Sequence, residues 1–395
     1  MVSRRRVAVI LSGGVLVSAV AQTWAVAAPG VWTVETTASP STTVNQLNGV
    51  SATSGAAWAV GTYTSSGKPR TLVLKRGAGG WTQQSSPNRT GSNELFAVKA
   101  TSSTNAWAVG DHDNGVGLGV LVLHWNGTRW STQSAPHDGF STCGSAPCSY
   151  TLQGIAALSS RNAWAVGSHA CRAIECHGST FVEHWNGSSW KVQPSPNAGQ
   201  LSELTGVAAW NTTHVWATGT DVSGTTAGAS TGFIERWTGT AWKLRSVPQP
   251  GAATELNGIS ARSASDVWAV GGYWQTSGDF ERTLVLHWDG TSWRRVTSPN
   301  AGSGGFNELD AVKAISASDV WAVGRYFSSS ADAVQTLIEH YDGTSWTRVT
   351  SPNVGLFANG LAAIGGRSAS NLFAVGSDDG DADGLTSSPL VVHCC

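Results

Sequence analysis

The sequence predicts an all-β fold: a seven-bladed β-propeller of four-stranded blades, closed by an N-terminal strand that completes the last blade. Three observations predict it: a sevenfold internal repeat, a composition of tight turns and bulky aromatics, and two chain ends that complement each other. A WAVG-like element recurs with its aromatic at Trp58, Trp107, Trp164, Trp216, Trp268, Trp321 and Phe373, at intervals of 49, 57, 52, 52, 53 and 52 residues. A period near fifty suits propeller blades, and no segment keeps the 3.6-residue apolar period of a helical repeat. The chain has 47 glycines and 20 tryptophans but one methionine, so turns and rigid aromatic packing dominate its 395 residues.

Each copy holds four strand-like pieces, designated a, b, c and d. In repeat 5 they begin at Leu256, Val267, Thr283 and Trp293. The c–d connection is a tight Asp289-Gly290 turn, which needs positive φ at its glycine. Asn126-Gly127, Asn186-Gly187 and Asp342-Gly343 repeat it. Ser298-Pro299-Asn300 follows strand d, where proline ends the pairing. The last copy stops after Leu390-Val391-Val392-His393, the end of a strand c. The segment Val31-Trp32-Thr33-Val34 reads as a strand d without a–c before it. Joining the two completes a seventh blade and removes an exposed sheet edge.

The first 27 residues read as a secretory signal. Arg4, Arg5 and Arg6 precede an apolar run from Val7 to Val20, and Ala25-Val26-Ala27 has the A-x-A form of a cleavage site. Residues 28–395 are then one propeller domain, expected to be secreted, with the choice between Sec and twin-arginine export open. Only 12% of residues are charged and the net charge is −1, so nothing points to nucleic acid or, once the signal is removed, to stable membrane insertion. Six cysteines suit an oxidising compartment. Cys143 with Cys148 and Cys171 with Cys176 read as loop staples, with pairing between the two loops as the alternative. The pairing of Cys394 and Cys395 is left open.

The chain resembles the kelch and galactose-oxidase-like propellers. Val267-Trp268-Ala269-Val270-Gly271-Gly272 matches the kelch double glycine after strand b, and the tryptophan opening strand d matches the kelch tryptophan. The other repeats keep a single glycine, as at Gly61, Gly110 and Gly324. The resemblance implies architecture and no particular activity.

The a–b and c–d connections are short and uniform, as scaffold turns are. The d–a and b–c connections differ in every repeat and share the opposite face, so that face is the expected functional one. Just before strand a stand Gln46, Glu94, Thr151, Glu203, Glu255, Glu308 and Gly360. Glu94, Glu203, Glu255 and Glu308 would ring the channel mouth, to hold a cation or an amine-bearing ligand or to cap their own loops. Two residues past the strand-b glycine stand Tyr63, His112, His169, Asp221, Tyr273, Tyr326 and Asp378. With the loop aromatics Trp274, Phe280 and Phe327 they suit stacking on sugar rings; the alternative is that Trp274 and Phe327 cover the bases of their loops. Asp379, Asp381 and Asp383 form a D-x-D-x-D-G run that could wrap calcium, with Ser387 ligating through water; a solvated acidic loop is the alternative. The strand-c series Lys75, His124, His184, Arg236, His287, His340 and His393 is periodic and reads as packing.

The expected function is a secreted binding protein that recognises an extracellular glycan, cell-envelope or protein ligand on the loop face. The alternatives are an extracellular carbohydrate-active hydrolase or lyase, drawing its acids from the four glutamates, and a kelch-like interaction scaffold. Catalysis is left undecided, leaning against it, because no catalytic constellation stands out and no H-E-x-x-H occurs.

Overall fold

The computed structural model describes residues 30–113, 115–139, 142–143, 146–171, 178–222, 230–302, 305–379 and 386–394. The signal region therefore lies outside the described residues, as do Asp381, Asp383, Cys176 and Cys395. All regular structure among the described residues is β-strand. Each repeat folds into an antiparallel a–b–c–d sheet. In repeat 1 the strands are Asn45–Ala52, Ala57–Ser65, Lys68–Gly77 and Gly80–Gln83. In repeat 5 they are Ala253–Ser263, Asp266–Trp274, Arg282–Trp288 and Trp293–Val296. Repeat 3 adds a short strand, Thr142–Cys143, outside its strand a (Ala146–Ser159). Strands Ala358–Ser368, Asn371–Asp379 and Ser387–Cys394 form a, b and c of repeat 7. The N-terminal strand Trp32–Val34 pairs with the last of these, Trp32 opposite Cys394 and Val34 opposite Val392. A single parallel pair, Val334 with Ala358, links the sheets of repeats 6 and 7.

The WAVG element is explained by what its residues touch. A Cβ added at Gly61 would stand 2.0 Å from the Gln46 carbonyl oxygen, and one at Gly271 2.0 Å from that of Glu255. The equivalent glycines of the other repeats face the same clash. Strand a crosses strand b too closely there for any side chain. The tryptophan is almost fully buried and packs forward on the next repeat. Trp58 lies 4.8 Å from Trp125 and 5.1 Å from Trp130, and Trp216 lies 5.1 Å from Trp288. The same contact runs from Trp321 to Trp32 at 5.5 Å and from Phe373 to Trp81 at 5.6 Å. The strand-c series completes this layer as packing: His124, His184, His287, His340 and His393 stack on the strand-b aromatics, and Lys75 and Arg236 lie over theirs.

Strand a faces the centre and carries a bulge in every repeat, after Leu47, Leu95, Leu152, Leu204, Leu256, Leu309 and Leu361. A bulge re-aims one side chain. The bulged residues Asn48, Phe96, Gln153, Thr205, Asn257, Asp310 and Ala362 all line one central cavity of about 200 Å³. Three of them bridge to the next repeat: Asn48 to the Leu95 carbonyl, Thr205 to that of Leu256 and Asn257 to that of Leu309. Strand a packs on strand a of the following repeat throughout, and that of repeat 7 packs on that of repeat 1.

Candidate functional site at the channel mouth

The four glutamates predicted at the mouth sit directly opposite strand-b residues: Glu94 opposite Asp111, Glu203 opposite Thr220, Glu255 opposite Gly272 and Glu308 opposite Arg325. Enclosure at the mouth raises the pKa of Glu94, Glu203 and Glu255 above the ordinary carboxylate value, and the charges of Glu308 and Glu203 add to the effect on Glu255. Glu308 is held on both sides. Its Oε2 accepts from Arg325 at 3.0 Å, and its Oε1 accepts from Asn257 Nδ2 at 3.1 Å. Burial raises Asp310 as well, with the Glu308 charge pushing the same way and Arg325 opposing.

Repeat 5 departs from the pattern at this level. The residue after the WAVG glycine is Thr62 in repeat 1 and Thr220 in repeat 4, and both bond to strand a of the next repeat. Thr62 donates to the Asn93 carbonyl, and Thr220 accepts from Leu256 N. In repeat 5 it is Gly272, and Glu281 fills its space: a Cβ there would lie 1.8 Å from Glu281 Oε1. Glu281 comes from the b–c connection, and its carbonyl accepts from Asn307 N at 3.0 Å, next to Glu308. It is 7% exposed, and its Oε1 has no hydrogen-bond partner. Burial, with the charges of Glu308, Glu255 and Asp310, pushes its pKa up to about 9, against the lesser pull of Arg325. A carboxyl with a raised pKa therefore stands near Glu308, which the Arg325 guanidinium clamps. Such a set both donates and accepts hydrogen bonds at neutral pH. Its neighbour Phe280 is 59% exposed.

No protein-family model matches the chain, and no curated protein matches it. Among solved structures, YCF48 bound to a D1 peptide matches with 14% identity and a TM-score of 0.52, over 93% of this chain and 97% of that one. The fold is a β-propeller. A six-bladed fucose-recognising lectin from the fungus Aleuria aurantia aligns at 15% identity and TM-score 0.48, over 78% of this chain and 95% of that one. A GH74 xyloglucanase from Xanthomonas campestris aligns at 12% and 0.47, over 84% of this chain and 51% of that one.

The second predicted ring lies deeper in the propeller than expected. Tyr273 is 5% exposed and takes a 2.6 Å hydrogen bond from Arg295, whose guanidinium covers its ring. Tyr326 is 4% exposed, under Arg348, and donates to Gln335 at 2.6 Å. His112 is buried with Nε2 2.9 Å from the Asp138 carbonyl. Asp221 and Asp378 are buried too, bonded to Ser202 and to Ser388 N. Tyr63, His169 and Trp274 keep partial exposure. His169 stacks at 5.2 Å on Tyr150, which stacks at 3.9 Å on His137. The structure thus brings Glu203, Glu255 and Glu308 together and leaves most of the aromatic ring inside the walls.

Of the calcium candidates, Asp379 and Ser387 are described and pair across strands b and c of repeat 7. The Ser387 hydroxyl is engaged with both the N–H and the carbonyl of Asn45. Among the described residues, no three His, Cys, Asp or Glu side chains are grouped to hold a metal. Cys148 is buried and lies opposite Cys171 in the strand register, whereas Cys143 lies opposite Ala146.

Sequence reading missed Asp111, Glu281, Asp310 and Arg325 at the mouth. It also missed Glu183, Glu235 and Glu339, which are fully buried on strand c where other repeats carry Leu74, Leu123, Leu286 and Val392. The available signal was deviation from the repeat. Glu281 stands where its counterparts are Pro69, Leu118, Gly178, Ser230, Val334 and Ser387.

Proposed function

We propose that this chain is a secreted, seven-bladed propeller, closed by its N-terminal strand, that binds a glycan of the cell envelope or surroundings at the d–a/b–c mouth. The closed ring is supported by the Trp32–Cys394 pairing, the Trp321–Trp32 contact and the cavity lined by all seven strands a. Export rests on the signal-like residues 1–27. Calcium at Asp379, Asp381 and Asp383 remains part of the proposal, and so does disulfide stapling of the repeat 2–3 loops.

The observation that carries the glycan reading is Glu281 seated on Gly272 beside Glu308 and Arg325. Vicinal hydroxyls ask for an acceptor and a donor a few ångströms apart, and this group supplies both. Phe280, one residue from Glu281 and exposed, is a face on which a sugar ring can stack. The test is a glycan array probed with the purified protein. Wild type binds a defined glycan set, Glu308→Gln and Phe280→Ser lose it, and the buried Tyr273→Phe keeps it. Binding that survives both losses, or an array with no bound glycan, contradicts the reading.

A second reading is favoured by the same group. A carboxyl whose pKa is raised by burial, with a second carboxyl near it, is the arrangement of glycoside hydrolysis. In that case Glu281 donates the proton and Glu308 serves the opposite role. Release of reducing sugar from a polysaccharide panel, lost in Glu281→Gln, distinguishes an enzyme from a binder.

A further inference from the structure

Charge is balanced over the chain, with 24 Lys and Arg against 25 Asp and Glu, but not at the mouth. There one register pair per repeat joins the start of strand a to strand b. The acids at these positions are Glu94, Asp111, Glu203, Glu255 and Glu308, and the one base is Arg325. Arg325 is already spent on Glu308, at 3.0 Å. These positions therefore hold acids in excess and no cation left over.

The acids converge at the seam between repeats 5 and 6. Glu281 Oε1 stands where a side chain of Gly272 would begin, and Gly272 lies directly opposite Glu255. Facing positions of a strand pair carry their Cβ atoms only ~5 Å apart, so Glu281 and Glu255 share one spot. The Glu281 carbonyl accepts from Asn307 N, the residue before Glu308. Asn257, two residues after Glu255, donates to Glu308 Oε1 at 3.1 Å. Backbone and side-chain bonds thus tie Glu255, Glu281 and Glu308 into one group, and their charges act on one another. Glu281 is 7% exposed and its Oε1 has no partner. A buried acceptor left unfilled is costly, and a ligand donor removes that cost. That oxygen accepts whether or not the carboxyl carries its proton. Among the described residues no three carboxyls are grouped to hold a metal, so a bare ion does not suit the spacing. A primary ammonium does: it places three donors on one positive centre and can reach separate carboxyls.

We propose that the glycan bound at this mouth is an amino sugar with a free amine, its ammonium held by Glu255, Glu281 and Glu308 and its ring lying on Phe280. The inference rests on the glycan reading and adds the charge of the ligand to it. Phe280 is 59% exposed and adjoins Glu281, so an apolar ring face and the amine can be engaged together. An N-acetylated sugar offers neither the positive charge nor the three donors, and the site leaves its acids unpaired against it.

Isothermal titration at about pH 6, where such amines are protonated, tests this with two ligands that differ only in charge: a glucosamine oligomer and its fully N-acetylated counterpart. The free amine is expected to bind roughly tenfold or more tighter, with the preference shrinking as salt is raised. Glu255→Gln, which removes a charge, and Glu281→Met, which removes the open acceptor, each bring the two ligands to within about threefold of one another. The wild-type comparison stands even where a variant fails to fold. Wild type that binds both oligomers equally, or prefers the acetylated one, overturns the proposal and leaves the glycan reading in place. So does wild type that binds neither oligomer while a neutral glycan on the array is bound. An array with no bound glycan removes the glycan reading, and this inference with it. A lysine oligomer bound as tightly as the glucosamine oligomer overturns the proposal too, because charge alone then suffices.

Discussion

Gly271 and Gly272 are neighbours in one strand, and the contrast between them is the contrast between the wall of this propeller and its mouth. Gly271 is repeated in every copy because a backbone carbonyl presses on its Cα, and backbone cannot move aside. Gly272 occurs once, and what fills its space is the end of a flexible side chain, Glu281 Oε1. Repetition marks the positions the sheet requires. Departure from it marks positions where one repeat has been given something else to do.

The largest expected effect comes from the wall. Gly271→Ala places a methyl 2.0 Å from the Glu255 carbonyl oxygen. It is expected to cost ~3 kcal/mol or more, or to prevent folding, as read by urea denaturation. Gly272→Ala is expected to cost under ~1 kcal/mol in the same experiment, since only a side chain must swing away. Its signature is loss of glycan binding as Glu281 is expelled. Equal destabilisation by the two would break the contrast.

A second, smaller effect concerns pH. Burial raises Glu183 and Glu235 to about 8 from 4.5, and raises Glu339 as well. The folded chain then holds protons that the unfolded chain releases between about 4.5 and 8. Stability from these groups is complete below that window and falls as pH rises through it. Thermal melts should therefore show Tm declining from pH 5 to pH 8. The triple variant Glu183→Gln, Glu235→Gln, Glu339→Gln should flatten the decline; an unchanged slope would show that these carboxyls do not set it.

The strand order, the turns and the buried tryptophans were legible in the sequence because each rests on a local rule that recurs from repeat to repeat. The mouth glutamates recur through the same register, although they lie inside strand a, Glu94 within Ser92–Ser102 and Glu255 within Ala253–Ser263, rather than before it. Tyr273 and Tyr326 were misplaced because the repeat gives their position along the strand. It does not say that Arg295 and Arg348 from strand d would cover them. Glu281 was hidden because its role depends on a side chain that Gly272 lacks, a relation across a loop that no spacing encodes. The three strand-c glutamates carry no sequence signal of this kind, because nothing in a short apolar run says which side of it lacks water.

The smallest effect separates two ways of linking the loops. Cys143 lies opposite Ala146, so Cys148, two residues further along, stands ~8 Å from it by strand geometry, beyond the ~7 Å a disulfide spans. Cys148 lies directly opposite Cys171. Non-reducing peptide mapping is expected to recover a Cys148–Cys171 link between the loops; a Cys143–Cys148 link would restore the separate staples.

The account depends most on the first strand and the last blade being one sheet. Removing residues 30–36 takes away Trp32 and the strand that covers Ser387–Cys394. The account predicts that the shortened chain loses its cooperative melt and regains it when a synthetic peptide of residues 30–38 is added. A shortened chain that melts at the same temperature as the full one would contradict it.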